Sequence, residues 1–302
     1  MRVVDLFSGA GGSSTGLVAA GATIVTAVNH WSVAVASHAA AHPATDHRCE
    51  DAAILDPTTL PAHDVLWASP SCTGHTKARG NDRPHHDAAR ATAWCVVRVA
   101  EAHLPRVLVV ENVPEFARWQ LYPAWRHALT LLGYRLSEQV IDAADAGVPQ
   151  HRKRLFVVGV RARRPLLLEQ PRETHRRASL ALDLVGGAWR PWKDYAPASV
   201  ARIRDAVRVQ GPICLVPYYG SASSHAGRDL NRPIGTLTTR DRYVVVVNDE
   251  ARVLTVEEQL VLSGFRRDYP LTGTRRDRVA QIGNAVCPPV AEHIGRQLVR
   301  AS

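Results

Sequence analysis

The chain has 302 residues and a formal net charge of +9 at pH 7. A chain of this length can bury enough apolar surface to be stable without disulfides or metals. Its five cysteines form no CxxC pair and no zinc-ligand spacing. The N-terminus leads directly into an apolar strand, with no charged leader and no long apolar segment. We therefore expect a cytoplasmic protein with reduced thiols, no membrane association and a polyanionic partner.

The basic residues are concentrated in the middle of the chain. Arg2 and Arg48 are the only ones before residue 70, whereas 11 lie between residues 161 and 208. This uneven distribution favours a small cofactor for the first part of the chain and phosphate groups for the later part.

A strand, a glycine-rich turn and a helix are predicted at the start of the chain. Arg2–Phe7 is mostly apolar, Ser8-Gly-Ala-Gly-Gly12 forms the turn, and the helix continues to about Ala20. Such a turn exposes helix amides and lets a ligand approach the backbone closely. Its G-x-G-G spacing matches neither the dinucleotide motif nor the P-loop, so a nucleoside-type cofactor fits better, with Phe7 offering an apolar face. A glycine turn without a ligand is the alternative.

The second strand, Thr23–Val28, ends in Asn29-His-Trp31, and a helix follows to His42. A protein that binds adenosine usually offers a ribose acceptor and an aromatic face at this strand tip, and Asp51 is a natural acceptor for the adenine amino group. Repeated strand–helix units of this length predict a parallel sheet with helices on both faces.

Cys72 follows the buried strand predicted over Asp64–Ala68, and Pro70 forces the chain out of the sheet between them. Ligands of open α/β sheets collect beyond the carboxyl ends of the strands, where a thiol is placed to act as a nucleophile. Lys77 and Arg79 favour the thiolate form. The alternative is a small buried cysteine that fills a gap.

Glu111 follows the next apolar strand, Arg106–Val110, and therefore lies at the same edge of the sheet as Cys72. Burial among the neighbouring valines would raise the pKa of this carboxyl and make it a candidate proton donor. An acidic residue here could also simply begin a helix.

Gln150, Arg152 and Arg154 alternate at period two before and within a predicted strand, Leu155–Val160. Side chains at this spacing point to one face of an extended segment. That face could contact a polar base edge and a phosphate together. A solvated basic strand is the alternative.

These stretches resemble the motifs of the cytosine-C5 DNA methyltransferases, in the family's order. The matching segments are Asp5-Leu-Phe-Ser-Gly-Ala-Gly-Gly12, Pro70-Ser-Cys72, Glu111-Asn-Val113, Gln150-x-Arg152-x-Arg154, Arg232-Pro-Ile-Gly-Thr-Leu-Thr-Thr239 and Gln281-Ile-Gly-Asn-Ala-Val286. The resemblance implies an α/β, Rossmann-like, S-adenosyl-L-methionine-dependent methyltransferase fold: a mostly parallel sheet with helices on both faces and a small irregular target-recognition domain.

The resemblance also implies the chemistry. Cys72 would attack C6 of a cytosine flipped out of the duplex, Glu111 would contact N3 and the amino group, and C5 would take the methyl group. Arg154 would orient the base, Arg152 would support the site and Gln150 would help to hold the loop, while Gly74–Pro84 would close as a lid. The expected cofactor-binding residues are Phe7, Ser8, Gly9, Gly11, Gly12, His30, Trp31, Asp51, Pro70, Asn284 and Val286.

The sequence departs from the family pattern in two places. Around the cysteine, Ser71 stands where the family usually has proline, and Thr73 and His75 stand where it commonly has glutamine and phenylalanine. Asn29 and His30 stand where it normally presents an acid at the tip of the second strand. The acid that contacts the ribose in the family is therefore missing from this strand tip.

His75, His85 and His86 show no metal-ligand spacing, so we expect no metal.

We expect residues 1–170 and 278–302 to form the catalytic and cofactor-binding domain and residues 171–277 the target-recognition domain. Val290, Ile294 and Leu298 give the last helix an apolar stripe that should pack against the larger domain. The expected partners are double-stranded DNA and a cognate restriction endonuclease, the latter only if the enzyme is not an orphan or phage methyltransferase, and the expected state is a monomer. The alternatives are an RNA (tRNA) cytosine-5 methyltransferase and a catalytically silent nucleic-acid-binding homologue.

Overall fold

The computed structural model describes residues 1–71, 92–218 and 226–301, and its largest element is a seven-stranded sheet. The strands of this sheet are β1 (Arg2–Leu6), β2 (Thr23–Val28), β3 (Asp46–Arg48), β4 (Val65–Ala68), β5 (Val107–Asn112), β6 (Arg135–Asp142) and β7 (Lys153–Val160). Their order across the sheet is β3-β2-β1-β4-β5-β7-β6. Strand β7 runs antiparallel to both of its neighbours, and the other adjacent strands pair in parallel.

Helices cover both faces of this sheet. The α-helices of the described residues, including those that pack on the smaller sheet beyond β7, are α1 (Gly12–Ala19), α2 (Ser32–Ala41), α3 (Trp94–His103), α4 (Tyr122–Leu131), α5 (Pro197–Gln210), α6 (Val256–Leu262), α7 (Arg275–Asn284) and α8 (Pro288–Ala301). Adjacent strand residues point to opposite faces. Val109 therefore packs with Leu17 of α1 and Ile294 of α8, whereas Val110 packs with Val96 of α3 on the other face. The predicted α/β architecture is confirmed.

The last helix closes the larger sheet, as its apolar stripe predicted. Val290, Ile294 and Leu298 are all buried, at 4%, 0% and 0% exposure, in the cluster that also contains β1 and α1 residues. Both ends of the chain therefore contribute to one core, which fixes the segment before α8 against the glycine turn that precedes α1.

Gly16 allows α1 and α8 to approach closely. A Cβ at this position would collide with the carbonyl oxygen of Pro288 and lie 2.6 Å from the backbone nitrogen of Glu292. Backbone atoms cannot move aside as a flexible side chain can, so the steric cost exceeds the gain of about 1 kcal/mol in helix propensity. We expect Gly16→Ala to lower the free energy of unfolding by about 1–3 kcal/mol, measured by urea denaturation. The control is Val18→Ala on the exposed side of α1, and an equal effect in both variants would contradict this packing role.

Residues beyond β7 form a smaller antiparallel sheet. Its strands are β8 (Arg190–Pro191), β9 (Ile213–Pro217), β10 (Tyr243–Val247) and β11 (Glu250–Val253), in the order β8-β11-β10-β9. The apolar run Tyr243–Val247 predicts the strand that the structure shows as β10, but the irregular periodicity around it did not indicate the other three strands. The strand β9 is buried on both faces: Leu215 packs on one side, and Cys214 packs beneath α5 on the other. A strand covered on both sides shows no polar alternation.

Candidate functional site

A cavity of about 370 Å³ opens at the carboxyl ends of β1, β4 and β5. Parallel strands end at the same edge of a sheet, so residues far apart in sequence meet there. The lining residues are Phe7, Ser8, Gly9, Ala10, Ser13, Asn29, His30, Trp31, Ala34, Ser69, Pro70, Ser71, Glu111, Asn112, Val113, Arg152, Arg154, Gln281, Gly283, Asn284, Ala285 and Val286. The glycine turn, the start of the cysteine loop and the acidic strand tip therefore share one cavity.

The glycine turn contributes its first half to the cavity. Phe7, Ser8 and Gly9 line it, and Phe7 has a φ of 58°, in the left-handed region that non-glycine residues rarely adopt. Gly11 and Gly12 do not line the cavity, although both were expected to bind the cofactor. A Cβ on Gly11 would lie 2.8 Å from the hydroxyl oxygen of Tyr269, and one on Gly12 would meet the carbonyl oxygen of Val286. These two glycines are needed for close packing.

The tip of β2 forms a second wall. Asn29, His30 and Trp31 line the cavity, and the Asn29 Oδ1 accepts a hydrogen bond of 2.9 Å from the Trp31 backbone N–H. Asn29 thus uses its carbonyl oxygen to shape the turn. Asp51, the expected adenine acceptor, is exposed and does not line the cavity. Its Oδ1 instead accepts a hydrogen bond of 2.9 Å from the Ala53 backbone N–H.

The wall of the cavity at the tip of β5 contains an ion pair that the sequence did not indicate. Glu111 is buried, with 9% of its side chain exposed, and its Oε1 lies 3.2 Å from the Arg154 Nε. Glu111 pairs with Phe156 across β5 and β7, so Arg154, two residues before Phe156, is its diagonal neighbour on the same face. The antiparallel direction of β7 therefore brings the two side chains together.

Arg152 and Gln150 have different environments from Arg154. Arg152 lines the cavity, is buried, and donates hydrogen bonds to the carbonyl oxygens of Leu237 (3.3 Å) and Gly283 (3.0 Å). Gln150 does not line the cavity, contrary to the expectation that all three side chains share a face. Gln150 lies before Lys153, the first residue of β7, so the alternation of strand residues does not extend to it. It is fully buried, and its Oε1 accepts a hydrogen bond of 2.9 Å from the Leu237 backbone N–H.

Gln150 also connects the larger sheet to the residues beyond it. Its Nε2 donates hydrogen bonds to the carbonyl oxygen of Leu262 at 3.1 Å and to the Ser263 hydroxyl at 3.2 Å. These partners lie at the end of α6. The amide side chain is therefore a structural bridge between the two parts of the chain.

The loop that leads to Cys72 is described only as far as Ser71. Pro70 and Ser71 line the cavity, and the Asn112 Nδ2 donates a hydrogen bond of 3.1 Å to the Pro70 carbonyl oxygen. Asn112 is a site residue whose role the sequence analysis missed, although it named the tripeptide that contains it. Cys72 itself lies outside the described residues, as do the predicted lid with Lys77 and Arg79 and the histidines at 75, 85 and 86.

The segment before α8 supplies the last wall. Asn284 and Val286 line the cavity as expected, together with Gln281 and Gly283. Within residues 1–71, 92–218 and 226–301, no helix is long and apolar enough to cross a membrane. In the same residues, no group of three or more His, Cys, Asp and Glu side chains could hold a metal ion.

Comparison of the sequence with known proteins identifies the family of this chain. The sequence matches the family described as C-5 cytosine-specific DNA methylase over residues 1–185 and 191–300. The Type II methyltransferase M.HgiDI of Herpetosiphon aurantiacus is 29% identical over 301 residues, which cover 95% of this chain and 90% of that protein. The Type II methyltransferase M1.HphI of Haemophilus parahaemolyticus is 26% identical over 333 residues, covering 99% of this chain and 87% of that protein.

Solved structures share the fold. A DNA modification methyltransferase encoded within an E. coli prophage has a TM-score of 0.71 at 23% identity and covers 99% of both chains. The S. pombe Dnmt2 methyltransferase has a TM-score of 0.69 at 18% identity and covers 100% of this chain and 99% of that one. At these identities the likeness supports the fold alone, and it confirms the predicted methyltransferase architecture. Because the family match covers the glycine turn, the acidic strand tip and the closing segment together, the chain belongs to the C-5 cytosine-specific DNA methylase family.

Proposed function

We propose that this chain transfers a methyl group from S-adenosyl-L-methionine to C5 of a cytosine within a specific sequence of duplex DNA. The observation that carries this proposal is one cavity bounded by the glycine turn on one side and by the Glu111–Arg154 ion pair on the other. A cofactor on the first wall and a base against the second would lie within reach of each other.

The cavity fits the cofactor of the family. Its volume of about 370 Å³ is within the range usual for small-molecule sites. Phe7 and Trp31 offer aromatic faces for an adenine ring, and the Ser8 and Ser13 positions offer polar groups. When bound, S-adenosylmethionine supplies a methyl group made electrophilic by its sulfonium.

Cys72 is the proposed nucleophile. C5 of cytosine is a weak nucleophile, and addition of a thiolate to C6 raises the electron density at C5. After C5 accepts the methyl group, loss of the C5 proton and cleavage of the C6–S bond restore the aromatic ring. Cys72 directly follows Pro70 and Ser71, which line the cavity. The target base must leave the duplex stack for this attack.

Glu111 and Arg154 are proposed to hold the base, with Arg152 as a support. Addition to C6 places negative charge on the ring, and the Glu111 carboxyl, once protonated, can stabilise it by donating a hydrogen bond to N3. Arg154 fixes the direction of this carboxyl group through its 3.2 Å ion pair. Arg152 joins the base wall to the segment before α8 through its bond to the Gly283 carbonyl oxygen.

The smaller sheet and its flanking segments are proposed to recognise the DNA sequence. Residues 171–277 would form this domain, with residues 1–170 and 278–302 as the catalytic domain. The Arg190 guanidinium lies 3.7 Å from the centre of the Tyr195 ring, and such arginine–aromatic pairs suit contacts with phosphates and bases. We further propose that the chain acts as a monomer and that its partner is a restriction endonuclease with the same recognition sequence.

Methyl transfer to defined substrates tests this function. The purified chain would be incubated with radiolabelled S-adenosylmethionine and either duplex DNA or tRNA, and bisulfite sequencing of DNA from expressing cells would report the methylated sequence. We expect transfer to duplex DNA at one sequence. Transfer to tRNA alone would replace the proposal with the RNA alternative. A folded chain that binds nucleic acid without any transfer would favour the silent homologue.

Trp31 is expected to contribute to cofactor affinity. Its ring is half-buried at the cavity wall, where it can stack on the adenine. We expect Trp31→Ala to raise the dissociation constant for S-adenosylmethionine roughly tenfold, in the range of aromatic stacking on a base. Isothermal titration calorimetry measures this constant, and turnover at saturating cofactor should be nearly unchanged. An unaltered dissociation constant would place the adenine elsewhere.

A further inference from the structure

A chain of buried hydrogen bonds lies directly behind the cofactor turn. The hydroxyls of Ser13 and Ser14 both donate to the Asp5 Oδ2, at 2.6 and 2.7 Å, and all three residues are buried. Ser14 Oγ is also 3.0 Å from the His38 Nε2, and the His38 Nδ1 is 2.8 Å from the His47 Nε2. This hydrogen-bond network therefore connects His47, on the half-buried edge strand β3, to Asp5 on β1.

The direction of each hydrogen bond between His47, His38, Ser14 and Asp5 is fixed. Burial lowers the pKa of His38 to about 3, with smaller contributions from His42 and His47, so His38 is neutral and carries a single N–H. Ser14 already donates to Asp5, so it must accept from the His38 Nε2. The His38 Nδ1 then carries no proton and must accept from the His47 Nε2. Every donor points toward the Asp5 carboxylate.

Asp5 has one oxygen without a partner. Its Oδ1 is buried and has no hydrogen-bond partner among the residues that the structure describes. A buried carboxylate oxygen in this state is costly unless a positive charge lies nearby. Burial raises the pKa of Asp5 to about 6, against the opposing effect of the two serine hydroxyls. Ser13, which bonds to the other oxygen, lines the cofactor cavity.

Among the residues that the structure describes, the charged and titratable groups around this hydrogen-bond network place no positive charge beside Asp5. On α2, burial lowers the pKa of His42, and its Nε2 lies 3.1 Å from the Thr15 hydroxyl oxygen. On the segment after α6, burial raises the pKa of Tyr269 to about 12, and its hydroxyl donates to the Ala10 carbonyl oxygen. At the outer end, Asp46 pairs with Arg48 at 3.0 Å.

We propose that His47, His38 and Ser14 form a positioning relay that holds the Asp5 carboxylate as the counter-charge for the positively charged cofactor. This proposal rests on the proposed function, because the cofactor supplies the sulfonium and ammonium charges. His38 is thus a positioning residue: it does not touch the cofactor but fixes the hydroxyl that orients Asp5. Phe7, which lines the cavity, is two residues from Asp5 in sequence. A shift of the Asp5 carboxylate would therefore also move this part of the cavity wall.

Two substitutions of His38 separate the relay from mere packing. His38→Gln places an amide N–H near the position of the imidazole Nε2 and can still donate to Ser14. His38→Asn places its amide near Nδ1 and cannot reach Ser14. We expect the dissociation constant for S-adenosylmethionine to rise about tenfold in the asparagine variant, as for loss of a hydrogen bond in a charged network, and to stay near that of the parent in the glutamine variant. Calorimetric titration without DNA gives both values.

The matched control is His63→Asn, since His63 is a half-buried histidine that precedes β4, at the amino end of that strand and away from the cavity. Equal dissociation constants in the parent chain and the His38→Asn variant would overturn the relay. Failure of the parent chain to bind S-adenosylmethionine would instead overturn the proposed function.

A second measurement needs no substitution. A cation near Asp5 favours its ionised form, so binding of S-adenosylmethionine should release protons near pH 6, where part of the Asp5 population is protonated. At pH 8 Asp5 is already ionised, and binding should release none from this group. Titration in two buffers of different ionisation enthalpy measures the released protons. Absence of proton release at pH 6 would contradict the counter-charge role of Asp5.

Discussion

Cys72→Ala is expected to abolish methyl transfer and to leave binding of S-adenosylmethionine intact. Without the thiolate, nothing adds to C6, and C5 remains too weak a nucleophile to accept the methyl group. Removal of an essential nucleophile typically lowers turnover by roughly 10⁴-fold or more. The loss should appear in single-turnover transfer to duplex DNA, while calorimetry should give the cofactor dissociation constant of the parent chain.

Cys49→Ala is the matched control, because Cys49 is an exposed free thiol. Duplex DNA with 5-fluorocytosine at the target adds a direct test of the covalent step, since fluorine cannot leave C5 as a proton does. The parent chain and the Cys49 variant should remain attached to this DNA in denaturing gels, and the Cys72 variant should not. Methyl transfer by the Cys72 variant at the parent rate would eliminate the covalent mechanism.

Disruption of the Glu111–Arg154 ion pair is expected to have the second largest effect. Glu111→Gln keeps the shape of the side chain but removes the carboxyl group that stabilises charge on the ring. Loss of one such group typically lowers turnover by about 10²–10³-fold. Arg154→Ala should also lower turnover, because this substitution leaves the buried Glu111 carboxyl without its partner at 3.2 Å. The two effects should not add in the double variant, since both act on one contact.

Lys153→Ala is the control for these variants. Lys153 is the first residue of β7 and lies between Arg152 and Arg154 in sequence, but its side chain is exposed, on the other face of the strand from Arg154. Turnover and the Michaelis constant for DNA, measured with the parent recognition sequence, separate loss of chemistry from loss of binding. Full turnover by the Glu111→Gln variant would show that this carboxyl is not part of the transfer, and additive losses would show that the two residues act separately.

The sequence by itself determined the fold class and the place of the site. Local patterns were sufficient because parallel strands end at one edge of a sheet, so a polar or glycine-rich stretch after each apolar run must lie at that edge. Glu111 and Pro70 were found in this way. The last helix was found from the spacing of Val290, Ile294 and Leu298, which local helix geometry sets without any knowledge of the rest of the chain.

Only the tertiary structure decided which of these side chains face the cavity. Gly11 and Gly12 pack beneath other segments, Asp51 bonds to its own turn, and Gln150 reaches α6. The direction of β7 and its register with β5 place Arg154 beside Glu111. The Glu111–Arg154 pair and the Gln150–Leu262 bond join residues more than 40 positions apart. Such contacts depend on backbone register and close packing, which leave no periodic trace in either segment alone.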